Sequence, residues 1–145
     1  GLDGDRAVLA IARKKVVRAE VDIELREGLA NSELSFPPGS FDRILSSLVL
    51  HHLTTEQKRV ALTAMYRWLR PSGELHVLDF GPQEGVILAL LARAVGWLDG
   101  VDRLRDNWDG RLPELMRDAG FANAKELGRA RTPFGSVSFY RAERV

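Results

Sequence analysis

Two periodicities of hydrophobic residues alternate along the chain, and turn residues separate the segments that carry them. In residues 7–18 the apolar positions recur at helical spacing with basic residues between them, which predicts an amphipathic helix. Residues 21–25 alternate strictly between apolar and acidic side chains, the pattern of a strand with one solvated face. Residues 41–50 are apolar nearly throughout and rich in branched side chains, which predicts a strand buried on both faces.

The pattern continues after the break at residues 37–39. Thr54 or Thr55 can cap a helix that runs to about Leu69 and that the proline-glycine turn at residues 71–73 ends. The remaining predicted elements are a strand over 74–80, a long apolar helix over 83–98, a short helix over 112–119 and two short strands over 124–127 and 136–141. Strands that alternate with helices predict an α/β fold with a largely parallel sheet.

Length and composition narrow the range of functions. A chain of 145 residues predicts a single domain spanning 1–145. Lys and Arg total 21 against 20 for Asp and Glu, so we expect no nucleic-acid partner and no membrane partner, but a small-molecule substrate. The most apolar stretch, residues 86–98, is shorter than the roughly 20 residues of a spanning helix. The absence of cysteine is compatible with a cytoplasmic protein.

Several polar residues stand next to predicted strands or helices. Asp3 precedes the first helix, where an acid can accept hydrogen bonds from the ribose of a nucleoside or can cap the helix. His51 and His52 follow the strand over 41–50, where an imidazole can act as a base or can hydrogen-bond a loop carbonyl. Asp79 can orient a substrate or a histidine, or can cap the following turn.

Two other sets of polar residues have simpler interpretations. The histidines lack the spacing of paired metal ligands, so no metal site is expected. Arginines and aspartates alternate between residues 99 and 111, which predicts a solvated face with salt bridges.

Several segments in order carry a resemblance to a known family. They are residues 1–3 with 9–13, residues 25–28, residues 36–44 with 48–53, and residues 68–75. They resemble, in that order, the second strand with its helix, the third strand with the adenine loop, the fourth-strand motif and the fifth-strand turn of class I S-adenosylmethionine-dependent methyltransferases. The resemblance implies a three-layer Rossmann-like sheet, mostly parallel with an antiparallel C-terminal strand.

The same resemblance implies a cofactor and its site. Methyl transfer from S-adenosyl-L-methionine to a small molecule is the expected reaction, and residues 83–112 are expected to include a substrate-covering insertion. The implied cofactor-binding residues are Asp3 for the ribose, Gly28, Leu29 and Ala30 for the adenine, and Ser47 and Leu48 along the cofactor. His51 or His52 is expected near the methyl acceptor, as the catalytic base.

Two departures from the family pattern keep other functions open. The family's first strand and glycine-rich loop would precede Gly1, so the fold is expected to be N-terminally incomplete, with a slot in the sheet that a homo-oligomer or a completing N-terminal segment fills. Leu29 stands where the family often has an acid. Both departures favour the alternative of a non-catalytic module. A dinucleotide-dependent oxidoreductase is a further alternative, against which the motifs at 41–53 and 69–73 argue.

Overall fold

The computed structural model describes residues 1–29, 36–82, 101–132 and 135–145. Contacts group the chain into two compact units, Gly1–Ser35 and Phe36–Val145. None of the helices among the described residues combines the length and the apolar character that crossing a membrane requires. The helix predicted over residues 83–98 lies outside the described residues.

The first unit contains one helix and a pair of short parallel strands. Helix α1 (Arg6–Ala19) begins after Asp5, whose side chain accepts hydrogen bonds from the amides of Ala7 and Val8. The helix therefore lies where the apolar periodicity predicts it. Strands β1 (Leu2–Asp3) and β2 (Arg26–Glu27) pair in register, Leu2 with Arg26 and Asp3 with Glu27.

The strand predicted over residues 21–25 is wrong. Residues 21–25 have no regular secondary structure, and the strand that forms instead, β2, begins at Arg26. Alternating apolar and polar side chains fit the two faces of a strand, but a strand also needs a ladder of backbone hydrogen bonds to a neighbouring strand. Strand β1 offers that ladder only opposite Arg26 and Glu27.

The second unit is built on a four-stranded sheet in the order β3-β4-β6-β5. The strands are β3 (Phe41–Ser47), β4 (Leu69–Phe80), β5 (Ala122–Thr132) and β6 (Gly135–Glu143). Strands β3 and β4 pair in parallel, and β6 pairs antiparallel with both β4 and β5. Three strands thus share one direction and only the C-terminal strand runs against them, as predicted.

Strand β3 is less buried than its apolar sequence predicts. It lies at the edge of the four-stranded sheet, and Leu45 is 79% exposed while Ser46 on the other face is buried. The prediction of a strand buried on both faces is therefore wrong for this sheet. Composition indicates how apolar a strand is, whereas its burial depends on which elements pack against each face.

Among the described residues of the second unit, three α-helices lie between the strands in sequence: one between β3 and β4, and two between β4 and β5. Helix α2 (Thr55–Trp68) begins at a capping box between Thr54 and Gln57, which confirms the predicted start. Helices α3 (Val101–Trp108) and α4 (Leu112–Asp118) come after the undescribed segment, and Gly120 follows α4 with a φ of 102°. The buried face of α2 includes Ala61, Leu62, Met65 and Trp68, whereas Val60 is 47% exposed.

The core of this unit lies between the helices and one face of the sheet. Side chains on β4 are alternately buried and partly exposed from Gly73 to Phe80, as strand geometry requires. Among the described residues, the fully buried apolar side chains are Leu50, Ala61, Leu62, Leu69, Leu75, Leu112, Leu115, Met116 and Ala142. Asp79 falls on the same face of β4 as Leu75 and Val77, so the alternation carries this carboxylate into the core.

Candidate active site

The carboxyl ends of β3 and β4 lie side by side, because the two strands are parallel and Ser47 pairs with Leu78. After Ser47 the chain turns at Leu48, whose amide donates to the Leu78 carbonyl at 2.8 Å. Leu48 has a φ of 54°, a left-handed conformation that is uncommon for a leucine. A short 3₁₀ turn, Leu50–His52, follows directly. Strained backbone of this kind often occurs at functional sites, and here it places two histidines at the strand ends.

Asp79 connects the two strand ends. Its carboxylate is fully buried, and Oδ2 accepts a hydrogen bond from the Leu50 amide at 2.8 Å and a longer one from the His51 amide at 3.4 Å. Its Oδ1 accepts from the Phe80 amide at 2.7 Å and lies 2.8 Å from Nδ1 of His51. Of the roles that the sequence left open for Asp79, the structure therefore favours orientation of a histidine.

The two histidines differ in environment although they are adjacent in sequence. The His51 side chain is only 12% exposed, and its ring meets Phe80 edge to face at 4.7 Å between centroids. The His52 ring lies 3.9 Å from that of His51 and is more open to solvent. Desolvation lowers the pKa of His52, and repulsion from His51 lowers it further, against an opposing effect of Asp79. His52 is thus held toward its neutral form.

A buried charge cluster lies between α2 and α3 in the same unit. Lys58 Nζ is 3.2 Å from Asp106 Oδ2, and both side chains are almost fully buried. Thr55 donates its hydroxyl to Asp106 at 2.7 Å, and Arg111 approaches the other carboxylate oxygen at 3.1 Å. Burial lowers the pKa of Lys58, while the bond to Asp106 opposes that change. The prediction of a solvated face is wrong for Asp106.

The candidates for nucleoside binding lie in the first unit. Asp3 ends β1 and is partly exposed; its Oδ1 accepts from the Asp5 amide at 2.8 Å, and its carbonyl accepts from the Gly28 amide at 3.0 Å. Asp5, rather than Asp3, is the helix cap. Leu29 is 56% exposed. Ala30 lies outside the described residues.

The arrangement around Asp3 suits a nucleoside. Within the described chain no hydrogen bond engages Oδ2 of Asp3, so that oxygen can accept from a ribose hydroxyl. Gly4 lies against the Leu29 side chain so closely that an added Cβ would be 2.5 Å from Leu29 Cδ2. A glycine at this position keeps the backbone close to the loop that is expected to meet the adenine.

The structure thus brings some of the predicted residues together and keeps others in separate units. Ser47, Leu48, His51 and His52 lie on one short segment at the end of β3, whereas Asp3, Gly28 and Leu29 belong to the first unit. Sequence analysis did not identify Asp106 and Lys58 as a buried pair. The sequence contains one signal for the burial of Lys58: it stands one helical turn before the apolar residues Ala61 and Leu62 and so shares a face of the helix with them.

The parallel pair β3 and β4 and the reversed C-terminal strand define a Rossmann-like α/β fold, a class in which ligands bind at the carboxyl ends of the parallel strands. The methyltransferase domain family matches residues 1–77, which is more than half of the 145 residues. The chain therefore belongs to the methyltransferase domain family.

Known proteins extend the comparison beyond the family match. The ubiquinone/menaquinone biosynthesis C-methyltransferase of Citrobacter koseri is 31% identical over 139 residues, a match that covers 82% of this chain and 54% of that protein. The chain therefore spans about half the length of this curated relative.

Solved structures share the fold at low sequence identity. A methyltransferase from Methanosarcina mazei has a TM-score of 0.74 at 16% identity, covering 100% of this chain and 81% of that one. Phosphoethanolamine N-methyltransferase 2 of Haemonchus contortus, solved with S-adenosyl-L-methionine, has a TM-score of 0.72 at 16% identity. The match covers 99% of this chain and 42% of that one. The fold is therefore that of S-adenosylmethionine-dependent methyltransferases.

Proposed function

We propose that this protein transfers a methyl group from S-adenosyl-L-methionine to a small molecule. The observation that carries the proposal is a histidine supported by a buried carboxylate, 2.8 Å away, at the carboxyl edge of a sheet in a methyltransferase-family chain. Bound S-adenosyl-L-methionine supplies a methyl group that its sulfonium has already activated. The chain then has to bind the nucleoside, align the acceptor and receive a proton.

Each candidate residue has one role in this proposal. Asp3 accepts hydrogen bonds from the ribose; Gly28, Leu29 and Ala30 contact the adenine; Ser47 and Leu48 line the cofactor. His51 takes the proton of the acceptor, and His52, whose pKa desolvation lowers, is the second candidate for that task. We also predict a cytoplasmic location. The completion of the sheet by an N-terminal segment or by a second copy of the chain is a further prediction.

The acceptor in this proposal is a carbon, oxygen or nitrogen that loses a proton during transfer, because an imidazole can remove one near neutral pH. The name of the Citrobacter relative specifies a C-methyltransferase of quinone biosynthesis. An activated ring carbon is therefore the first acceptor to test, with an unsubstituted naphthohydroquinone as the probe.

Calorimetric titration of the chain with S-adenosylhomocysteine tests the proposal. We expect measurable binding, and we expect Asp3→Ala to weaken it by about 1.5–3 kcal/mol, the range for a hydrogen bond to a charged group. Asp22→Ala, which removes an exposed acid from the same unit, is the control and should leave the dissociation constant unchanged.

Three outcomes would count against parts of the proposal. No heat at millimolar ligand would favour the non-catalytic module, as does the leucine at position 29, where the family often has an acid. Equal binding of NADH would reopen the oxidoreductase alternative. An unchanged affinity of Asp3→Ala would limit Asp3 to its bond with the Asp5 amide.

A further inference from the structure

Asp79 is a fully buried carboxylate whose hydrogen bonds converge on the segment that carries His51. We propose that Asp79 is a positioning residue, which keeps a proton on Nδ1 of His51 and leaves Nε2 to receive the proton of the methyl acceptor. This inference rests on the proposed function. It adds a residue that acts through His51 and specifies which nitrogen of the imidazole reacts.

The hydrogen bonds around Asp79 determine the direction of its bond to His51. Three backbone amides, those of Leu50, His51 and Phe80, donate to the carboxylate, so both of its oxygens serve as acceptors. An ionised carboxylate has no proton to give, and the 2.8 Å contact with Nδ1 therefore requires the ring to donate. In the neutral imidazole, the proton on Nδ1 leaves a lone pair on Nε2.

The position of the ring is fixed as well as its tautomer. Phe80 meets the His51 ring at an interplanar angle of 82°, and the same Phe80 donates its backbone amide to Asp79. The 3₁₀ turn positions the backbone of His51 through the bonds from Leu50 and His51 to the carboxylate. Among the described residues, no hydrogen bond to Nε2 is formed, so that nitrogen can meet a ligand.

The protons and electrons of the proposed methyl transfer balance without any reactant beyond the methyl donor and the acceptor. The acceptor gives its proton to Nε2, and the electron pair released on the acceptor forms the bond to the methyl carbon. The methyl–sulfur bond breaks with its electron pair on sulfur. His51 becomes an imidazolium beside the Asp79 carboxylate, which offsets the new charge, and the ring afterwards returns the proton to water.

The tautomer can be measured without any turnover, by long-range proton–nitrogen correlation on the ¹⁵N-histidine-labelled chain above the titration range of histidine. We expect wild-type His51 to carry its proton on Nδ1. In Asp79→Asn the side-chain oxygen can accept from the Leu50 and His51 amides, which places the NH₂ group beside Nδ1 and displaces the Phe80 amide; the ring proton then moves to Nε2. Asp118→Asn, the same change at an exposed carboxylate, should leave the His51 signals unchanged.

A proton on Nε2 in the wild type would overturn the inference. If Asp79→Asn does not fold, the wild-type tautomer still decides the question. The outcome is separable from the proposed function: absent S-adenosylhomocysteine binding rejects methyl transfer, whereas normal binding with the wrong tautomer rejects only the role of Asp79.

Kinetics supply a second readout, with the naphthohydroquinone as acceptor. We expect Asp79→Asn to lower kcat on the order of 10²- to 10⁴-fold, the range for loss of a general base, while the KM for S-adenosyl-L-methionine stays the same. A purely structural role would instead lower the amount of folded protein and leave the kcat of that folded fraction unchanged. An unchanged kcat would therefore contradict the inference.

Discussion

Gly81 shows how a single position controls the packing beside the candidate site. It follows β4 directly, and its amide donates to the Ser136 carbonyl on β6 at 3.0 Å. A Cβ at Gly81 would lie 2.0 Å from Oγ and 2.9 Å from Cβ of Ser138, which is fully buried opposite Asp79. Only glycine allows this approach of the backbone to β6, and the approach sets the position of the strand end that carries Asp79.

Gly81→Ala should therefore destabilise the fold by about 1–3 kcal/mol, the cost of overpacking a core position. Ser138→Gly removes the obstructing side chain, so the double variant should regain part of the loss. Urea unfolding of the four members of this cycle measures the coupling directly. Gly128→Ala is the control, because an added Cβ there meets nothing within 4 Å. Additive effects of Gly81→Ala and Ser138→Gly would show that the contact is relieved in another way.

Glu74 connects three strands through charged hydrogen bonds. Its carboxylate lies 2.9 Å from His76 Nε2 on its own strand, 2.6 Å from Arg141 on β6 and 3.4 Å from Arg43 on β3. The bonds from His76 and then from Arg141 lower the pKa of Glu74 from 4.5 to about 2. The folded sheet therefore binds this proton more weakly than the unfolded chain does.

The stability that Glu74 contributes is accordingly present above pH 4.5 and lost as the pH falls toward about 2. Glu74→Gln should make the free energy of unfolding less dependent on pH within that interval. Chemical denaturation at a series of acidic pH values measures the slope. Glu20→Gln, at an exposed position for which the described residues offer no ion pair, should keep the wild-type slope. An identical slope for Glu74→Gln and wild type would contradict the prediction.

Helices and strands differ in how reliably the local sequence predicts them. Helix α2 has both an apolar stripe and a capping box at Thr54, two local signals that agree, and it begins where predicted. Residues 21–25 have a clear strand pattern but do not form a strand, because the necessary hydrogen-bond partner is not part of the local sequence. Local signals are sufficient for a helix, whereas a strand depends on its neighbour.

At the scale of the larger unit, Lys58 and Asp106 are 48 residues apart in sequence and join α2 to α3. Both charges are almost fully buried, and Thr55 and Arg111 complete the hydrogen bonds of Asp106. Removing one member of such a pair leaves the other as an uncompensated buried charge. The cluster thus ties α3 to α2.

Asp106→Ala should cost about 3–5 kcal/mol of folding free energy, because Lys58 is then buried without its counterion. The double variant Lys58→Met with Asp106→Leu removes both charges and should recover much of that loss. Urea denaturation, monitored by circular dichroism, gives the free energy of unfolding of the single and the double variant. For comparison, Asp118→Ala breaks an exposed pair with Arg59 and should cost under about 1 kcal/mol. A double variant no more stable than Asp106→Ala would show that the ion pair itself stabilises the fold.

Local patterns in the sequence were enough to predict the fold class, the positions of α1, α2 and α4, and the position of His51 and His52 just after a strand, because periodicity, caps and turns are local properties. Tertiary packing, in contrast, places β3 at the edge of its sheet and buries Asp106 against Lys58. The same packing makes Asp79, 28 residues from His51 in sequence, the hydrogen-bond partner of the His51 ring. These contacts depend on which segments meet in space. Strand register and helix packing determine which segments meet, and a local sequence pattern does not contain this information.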